Sequence, residues 1–231
     1  KGKKKATAYT LPTLSDNSFE VQLGDLDEDR VWRNEIMPRV ADAPENVRAI
    51  CQHGFTEMLN NAIDHSGSKV AKVSMDRNAF RVRLSVSDQG IGIFKKIQTE
   101  CELSEEREAI IELSKGKFTT DPSKHSGEGI FFTSRMFDGF AISSHHLALL
   151  YRAKGDDFLI ETIEKPKIGT EVTMDISTYT MRTTQEVFDR FTGAEDFGFH
   201  RTHVPVALAR YPNEQLVSRS QAKRVLARFE K

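Results

Sequence analysis

Residues 55–65 read FTEMLNNAIDH, a pattern that predicts a helix with one polar stripe. Glu57, Asn61 and His65 recur every four residues, so they share one face of that helix. A carboxylate and a carboxamide one turn apart can hold a hydrated Mg²⁺ ion and polarise a water molecule. Taken alone, however, the stripe is more simply explained as a solvent-exposed polar face.

A second motif follows a predicted strand. Residues 86–93 read VSDQGIGI, and Asp88 stands just after the strand predicted for Phe80–Val86. Gly90 and Gly92 permit tight or left-handed backbone, which leaves the carboxylate of Asp88 projecting at the strand end. A carboxylate fixed there can accept a hydrogen bond from an exocyclic amine such as that of adenine. A plain hairpin turn is the competing interpretation.

A third motif, SGEGIFF at residues 126–132, places Gly127 and Gly129 where a helix should begin. A helix N-terminus without bulky side chains offers N–H groups and a positive dipole end to phosphate. The roughly 33 residues between Phe94 and Ser126 exceed an ordinary connection and suit a lid over an anionic ligand. Four basic residues lie near the end of this segment: Lys115, Lys117, Lys124 and His125. A flexible loop before a helix is the alternative.

The remaining periodicities predict the fold class. A short strand is expected at Phe19–Leu23, a helix from Asp25 to Pro38, and the polar-striped helix from Pro44 to the break at Ser66-Gly67. Further strands are expected at Val70–Met75, Phe80–Val86, Leu147–Arg152, Asp157–Ile163 and Glu171–Ile176. Helices are thus segregated from a mainly antiparallel, mixed sheet, which is typical of an α+β two-layer sandwich.

Length and patterning divide the chain into three parts. At about 150 residues per domain, a chain of 231 residues suggests one full domain and a fragment. We assign residues 1–18 to a polar lead-in, 19–178 to the sandwich domain, and 179–231 to a partial C-terminal α/β unit.

Composition excludes several broad classes of protein. The hydrophobic content of 38% supports a core and excludes global disorder. Since 33 basic residues oppose 34 acidic ones, the net charge of −1 gives no overall attraction to nucleic acid or anionic lipid. We find no apolar run long enough to span a membrane. Two cysteines without CxxC spacing favour a reducing compartment, so we expect a cytoplasmic protein without membrane contact.

The three motifs occur in a characteristic order: Glu-x-x-x-Asn on a helix, Asp-x-Gly-x-Gly after a strand, and Gly-x-Gly before a helix. This order resembles the GHKL ATPases, which include gyrase, the heat-shock 90 chaperones, histidine kinases and the MutL mismatch-repair proteins. The resemblance covers about residues 20–177 and implies the Bergerat ATP-binding fold, with ATP and Mg²⁺ as ligands. The Gly169-Thr170 pair also resembles a Gly-Thr pair of that family.

The resemblance implies a role for each matched position. Glu57 would activate the attacking water or hydroxyl, Asn61 would hold Mg²⁺, and Asp88 would read adenine. Thr170 would support the water network around adenine. The remaining nucleotide-binding positions are His65, Gly90, Gly92, Lys124, Ser126, Gly127, Glu128, Gly129 and Ile130.

The type of GHKL protein stays open. Histidine kinases usually have Asn at the position of Glu57 and need a phospho-accepting histidine upstream, whereas the first histidine here, His53, lies inside the nucleotide helix. Glu57 is shared by the hydrolysing members and by the anti-sigma-factor serine kinases, so it does not choose between water and a protein hydroxyl as acceptor. We expect an ATPase or protein kinase domain of a regulatory protein. The alternative is an ATP-gated switch that controls DNA or protein binding with little or no catalysis.

Both ends of the chain suggest partners besides ATP or ADP. Residues 204–226 resemble the opening of a STAS-like domain, in which Ser218 and Ser220 are helix caps rather than phospho-acceptors. The lysine-rich residues 1–11 resemble the last wing of a winged-helix DNA-binding domain. We therefore expect a protein partner or phospho-acceptor and DNA contact through that wing, while a homodimer stays open. His145-His146 lacks a cysteine or acidic spacing partner and predicts no zinc site.

Overall fold

Helices cover one face of a five-stranded sheet in the computed structural model, which describes residues 11–115, 128–155 and 157–192. The strands are β1 (Thr13–Gln22), β2 (Val70–Asn78), β3 (Arg81–Asp88), β4 (Gly139–Arg152) and β5 (Asp157–Ser177). The helices are α1 (Glu28–Val31), a π-helical turn (Trp32–Ile36), α2 (Met37–Val40), α3 (Glu45–His65), α4 (Ile93–Glu100), α5 (Glu106–Ser114), α6 (Gly129–Met136) and α7 (Thr184–Phe191). The predicted α+β two-layer sandwich is confirmed.

The sheet has the order β1-β2-β3-β5-β4, and every neighbouring pair is antiparallel. In the register of β3 and β5, Val86 pairs with Val172 and Ser87 with Glu171. The end of β3 at Asp88 therefore meets the stretch of β5 that contains Gly169 and Thr170. This register brings two sequence motifs, 82 residues apart, to one end of the sheet.

The core forms between the inner face of the sheet and α3. Alternate residues on β2, β3 and β5 are buried, as expected for strands with one covered face. On α3, the buried apolar side chains are Val47, Ile50, Cys51, Phe55, Met58, Leu59 and Ala62. Burial of each large apolar side chain stabilises the fold by about 1.5–3 kcal/mol, so α3 is anchored along most of its length.

Several predicted boundaries were wrong. The first strand begins at Thr13 rather than Phe19, and the helix expected to stop at Pro38 continues to Val40. Pro38 is tolerated because it lies in the first turn of α2, where its missing N–H group has no intrahelical partner.

The third correction concerns the sheet edge. The strands predicted at Asp157–Ile163 and Glu171–Ile176 are parts of one strand, β5, and β4 begins at Gly139 rather than Leu147. The pairing of β4 with β5 is irregular from Ser144 to Leu147. This irregularity, together with the polar Lys165-Pro166-Lys167 stretch, interrupts the alternation that the sequence analysis relied on.

None of the helices in the described part of the chain combines the length and the apolar character needed to cross a membrane. The partial unit predicted for residues 179–231 is described only as far as residue 192, a stretch that includes α7. Residues 193–231 lie outside the described part of the chain. The lysine-rich residues 1–10 lie outside it as well.

Gly54 sets the distance between α3 and the core beneath it. A Cβ atom at Gly54 would overlap the ring of Phe137 and touch Met174 Sδ. We expect Gly54→Ala to destabilise the protein by about 1–2 kcal/mol, because overpacking outweighs the better helix propensity of alanine. Denaturant unfolding measures this change.

Gly24→Ala is the matched control, since a Cβ atom at Gly24 would have no neighbour within 4 Å. Its unfolding midpoint should equal that of the wild type. A Gly54→Ala protein as stable as the Gly24→Ala protein would contradict the close packing of α3.

Candidate functional site

The polar stripe of α3 borders the core without entering it. Glu57, Asn61 and His65 are each half-buried, whereas Met58 and Leu59 are buried beside them. The helix predicted for this segment is thus present, with the spacing that the sequence indicated. The stripe faces partly to solvent, so its side chains are accessible to a ligand.

Asp88 is a nearly buried carboxylate at the end of β3, with 5% of its surface exposed. Its Oδ1 atom accepts hydrogen bonds from the backbone N–H groups of Gly90 at 2.8 Å and Thr170 at 3.3 Å. Burial raises the pKa of Asp88 above its usual range, and these two hydrogen bonds oppose that rise. Neither amide engages the other oxygen, Oδ2, which is left to accept a hydrogen bond from a ligand.

Close backbone packing around Asp88 requires glycine at two positions. Gly169 has a φ of +70°, and a Cβ atom there would overlap the backbone carbonyl of Asp88. Gly92 has a φ of +84°, and its Cβ atom would meet Ser144 Oγ. Left-handed backbone is readily adopted only by glycine. The hydroxyl of Thr170 accepts a hydrogen bond from the N–H of Ile93 at 2.9 Å, which ties β5 to the start of α4.

The C-terminus of α3 abuts the turn that follows Asp88. The N–H of Ile91 donates to the carbonyl of Ser66 at 3.0 Å, and a Cβ atom at Gly90 would overlap that same carbonyl. Lys96 Nζ donates to the carbonyl of His65 at 3.1 Å, which places a positive charge at the negative end of the helix dipole. The end of the α3 stripe at His65 therefore adjoins the turn that follows Asp88.

The start of α6 lies against the middle of α3. A Cβ atom at Gly129 would overlap Glu57 Oε2, so the carboxylate of Glu57 lies directly against this helix start. Glu128 and Ile130 flank Gly129 and are half-buried. The predicted residues Lys124, Ser126 and Gly127 lie outside the described residues.

The residues of the site fit a Mg²⁺ ion whose coordination comes mainly from a bound ligand and from water molecules. Among the described residues, no group of three or more His, Cys, Asp or Glu side chains is placed to hold a metal. Asn61 Nδ2 approaches Met58 Sδ at 4.0 Å, so the carboxamide oxygen of Asn61 is turned the other way. Mg²⁺ keeps several waters and takes few protein ligands beside phosphates, which matches such a sparse donor set.

Three contributors escaped the sequence analysis. Lys96 caps α3, Ser144 Oγ donates to the carbonyl of Gly169 at 2.8 Å, and His145 lies beside Gly92. The sequence could have indicated Lys96 as a contributor, because it lies one helical turn after Gly92 of the second motif. Ser144 and His145 carried none, because their place depends on the irregular pairing of β4 with β5.

The geometry therefore combines a fixed carboxylate, a carboxylate–carboxamide helix face and a glycine at a helix start. A comparison with curated protein sequences finds no match. The family model described as histidine kinase-, DNA gyrase B-, and HSP90-like ATPase matches residues 46–180, which is more than half of the chain and extends from α3 past β5. The chain therefore belongs to this family of GHKL ATPases, whose domain binds ATP, typically with Mg²⁺.

Proposed function

We propose that this domain binds Mg·ATP along the surface from Asp88 to Gly129 and transfers the γ-phosphoryl group to water or to a protein hydroxyl. The observation that carries the proposal is the position of α3, whose C-terminus meets the turn after Asp88 while Glu57 meets the start of α6. One helix thus serves both the base end and the phosphate end of a nucleotide.

At the base end, Asp88 is the proposed adenine reader. Its Oδ1 atom already accepts two backbone hydrogen bonds, so Oδ2 would accept the exocyclic amine. A charged acceptor in a buried site makes a stronger hydrogen bond than a neutral one. Thr170, which is buried beside it, would support the water network around the base.

At the phosphate end, the glycine-containing start of α6 would receive the anionic groups through its N–H groups and dipole. Asn61 would hold Mg²⁺ through its carboxamide oxygen, and His65 lies one turn further along the same face. When bound, Mg²⁺ neutralises charge on the phosphate oxygens. The proposed contacts of Lys124, Ser126 and Gly127 complete this end.

Glu57 is the proposed general base. Its carboxylate would accept the proton of a water or a protein hydroxyl while that oxygen attacks the γ-phosphorus. The bond from the γ-phosphorus to the β,γ-bridging oxygen breaks in the same step, and ADP leaves. The half-buried position of Glu57 beside Gly129 supports this role, because a base must lie near the phosphate it serves.

The wider setting that we propose is a cytoplasmic regulatory protein. In it, the ATPase domain acts on a protein partner that is also the phospho-acceptor if the enzyme is of the anti-sigma-kinase type. A winged-helix remnant at the lysine-rich residues 1–11 would contact DNA, and a STAS-like unit that includes residues 204–226 would be regulatory. The resemblance of residues 1–11 and 204–226 to such domains supports this setting.

Asp88→Asn tests the adenine contact. Asparagine can still accept the hydrogen bonds from Gly90 and Thr170 through its oxygen. Its NH₂ group would then face the adenine amine, and two hydrogen-bond donors would oppose each other. We expect ATP affinity to fall about 10- to 100-fold, the equivalent of one hydrogen bond to a charged group. Titration calorimetry with ATP and ADP measures this change.

The fold of Asp88→Asn should survive. Because burial raises the folded-state pKa of Asp88, stability from its protonated form is complete below the ordinary value of 3.8 and is lost as the pH rises through the folded pKa. Removing the ionisable group should therefore leave the melting temperature at pH 7 equal to or above that of the wild type. Unchanged ATP affinity in this well-folded variant would refute adenine recognition by Asp88.

Glu57→Gln tests catalysis separately from binding. We expect turnover to fall by about 10²- to 10⁴-fold while Mg·ATP affinity stays nearly unchanged, since glutamine preserves the shape but accepts no proton. Phosphate release and phosphotransfer to protein are measured in parallel with calorimetry.

Glu45→Gln is the matched control, because Glu45 is exposed at the opposite end of the same helix. Its turnover should equal that of the wild type. If the wild type binds Mg·ATP without any turnover, the ATP-gated switch replaces the catalytic proposal. If Glu57→Gln turns over at the wild-type rate, Glu57 is not the base.

A further inference from the structure

We infer that His145 is a positioning residue that couples the adenine end of the site to helix α5 and, through it, to the phosphate end. The nucleotide part of this inference rests on the proposed function. The coupling itself rests on contacts among β4, the turn after Asp88 and α5, which exist without a ligand.

The backbone at His145 is unusual. His145 has a φ of +49°, in the left-handed region that residues with a side chain seldom occupy. The pairing of β4 with β5 shifts register on both sides of this residue. Such conformations persist where surrounding contacts hold them, and they cluster at functional sites. The bend turns the imidazole towards α5.

The imidazole of His145 is hydrogen-bonded to the first residue of α5. Its Nδ1 atom lies 3.0 Å and 3.1 Å from the two carboxylate oxygens of Glu106. A carboxylate only accepts hydrogen bonds, so Nδ1 carries the proton and donates. The side chains are 33% and 25% exposed, which limits competition from water.

The other edge of the imidazole ring lies against the turn that follows Asp88. The Nε2 atom is 3.1 Å from the place where a Cβ atom of Gly92 would be. The preceding residue, Ser144, donates to Gly169 at 2.8 Å. Ser144 thus contacts Gly169, and His145 contacts Gly92. His145 also holds α5 through Glu106.

Helix α5 carries the coupling to the other end of the site. It packs against α4, which begins directly after Gly92, and against α6, which begins at Gly129 beside Glu57. Because His145 fixes Glu106, the first residue of α5, to the turn after Asp88, it also restricts the position of α6. This gives His145 a role that its neighbour His146 lacks: His146 is exposed and donates from Nδ1 to the carbonyl of Ile163 at 3.4 Å.

Amide hydrogen exchange on the full 231-residue chain without nucleotide tests the coupling. We expect His145→Ala and Glu106→Ala each to speed exchange in α5 about tenfold, with no change in β2 and β3. Amide exchange in α5 of the double variant should be no faster than in either single variant, because both changes remove the same pair. His146→Ala, the matched control, should exchange like the wild type.

His145→Asn separates positioning from general structural damage. Asparagine places an NH₂ donor where Nδ1 stands, and it tolerates left-handed backbone better than alanine does. We expect it to restore the protection of α5. Glu106→Ala leaves His145 and its contact with Gly92 in place, so it isolates the link to α5.

Affinities for two nucleotides complete the test. In Glu106→Ala, we expect Mg·ATP affinity to fall about tenfold and adenosine affinity to change less than about twofold, since only ATP needs the phosphate end. Equal losses for both would overturn the coupling. Unchanged exchange in α5 of His145→Ala and Glu106→Ala would overturn it as well. A wild-type chain that binds no ATP would refute the proposed function, and the exchange data would still decide whether His145 positions α5.

Discussion

A buried carboxylate has to be held by hydrogen bonds, and the candidate site of this domain is built around that requirement at Asp88. Its two backbone donors come from different elements, the turn after β3 and the start of the inner half of β5. Bringing both donors to one oxygen forces backbone so close that Gly169 has no room for a side chain. Gly92, with a φ of +84°, is enclosed instead by Ser144 and His145 of β4 and by the carbonyl of Gly169. The need for glycine at position 169 is thus a consequence of how Asp88 is held.

The second constraint is the close packing of α3. Gly54 brings the helix into contact with the ring of Phe137, directly after α6, and Gly129 lets Glu57 reach the start of that helix. The close approach of α3 to the end of α6 therefore depends on Gly54, and the start of α6 lies beside the carboxylate of Glu57. Because α3 is anchored in the core by its apolar side, its polar side is rigid. A rigid scaffold is what positions catalytic groups well, since small misplacements weaken catalysis strongly.

The two ends of the site are connected by more than α3. The pair of His145 and Glu106 joins the turn after Asp88 to α5, and α5 contacts α6. With this second connection, the separation between the proposed base and phosphate ends depends on several elements of the fold. It also explains why a strained residue occurs in the middle of β4: the bend that strains His145 is the bend that aims its ring at α5.

Local pattern predicted the fold class correctly, and it predicted the helix that carries Glu57, the strand that ends at Asp88 and a helix that begins near Gly129. The spacing of Glu57 and Asn61 specified a helix face, and the glycines after Asp88 specified a turn, because both signals lie within a few neighbouring residues. The strand boundaries at β1 and β5 failed for the opposite reason. Alternation shows which residues face inward, but it does not show where a partner strand bulges.

The sequence by itself determined the fold class and the main helices and strands, since periodicity and glycine placement are local properties. Tertiary structure alone decided how the residues of the site meet. The register of β3 with β5 placed Thr170 on Asp88, and the approach of α6 placed Gly129 on Glu57. His145 and Glu106, 39 residues apart, met through a bulge that no local pattern encodes. Long-range pairing depends on the packing of the whole sheet, and for that reason it is decided only when the chain folds.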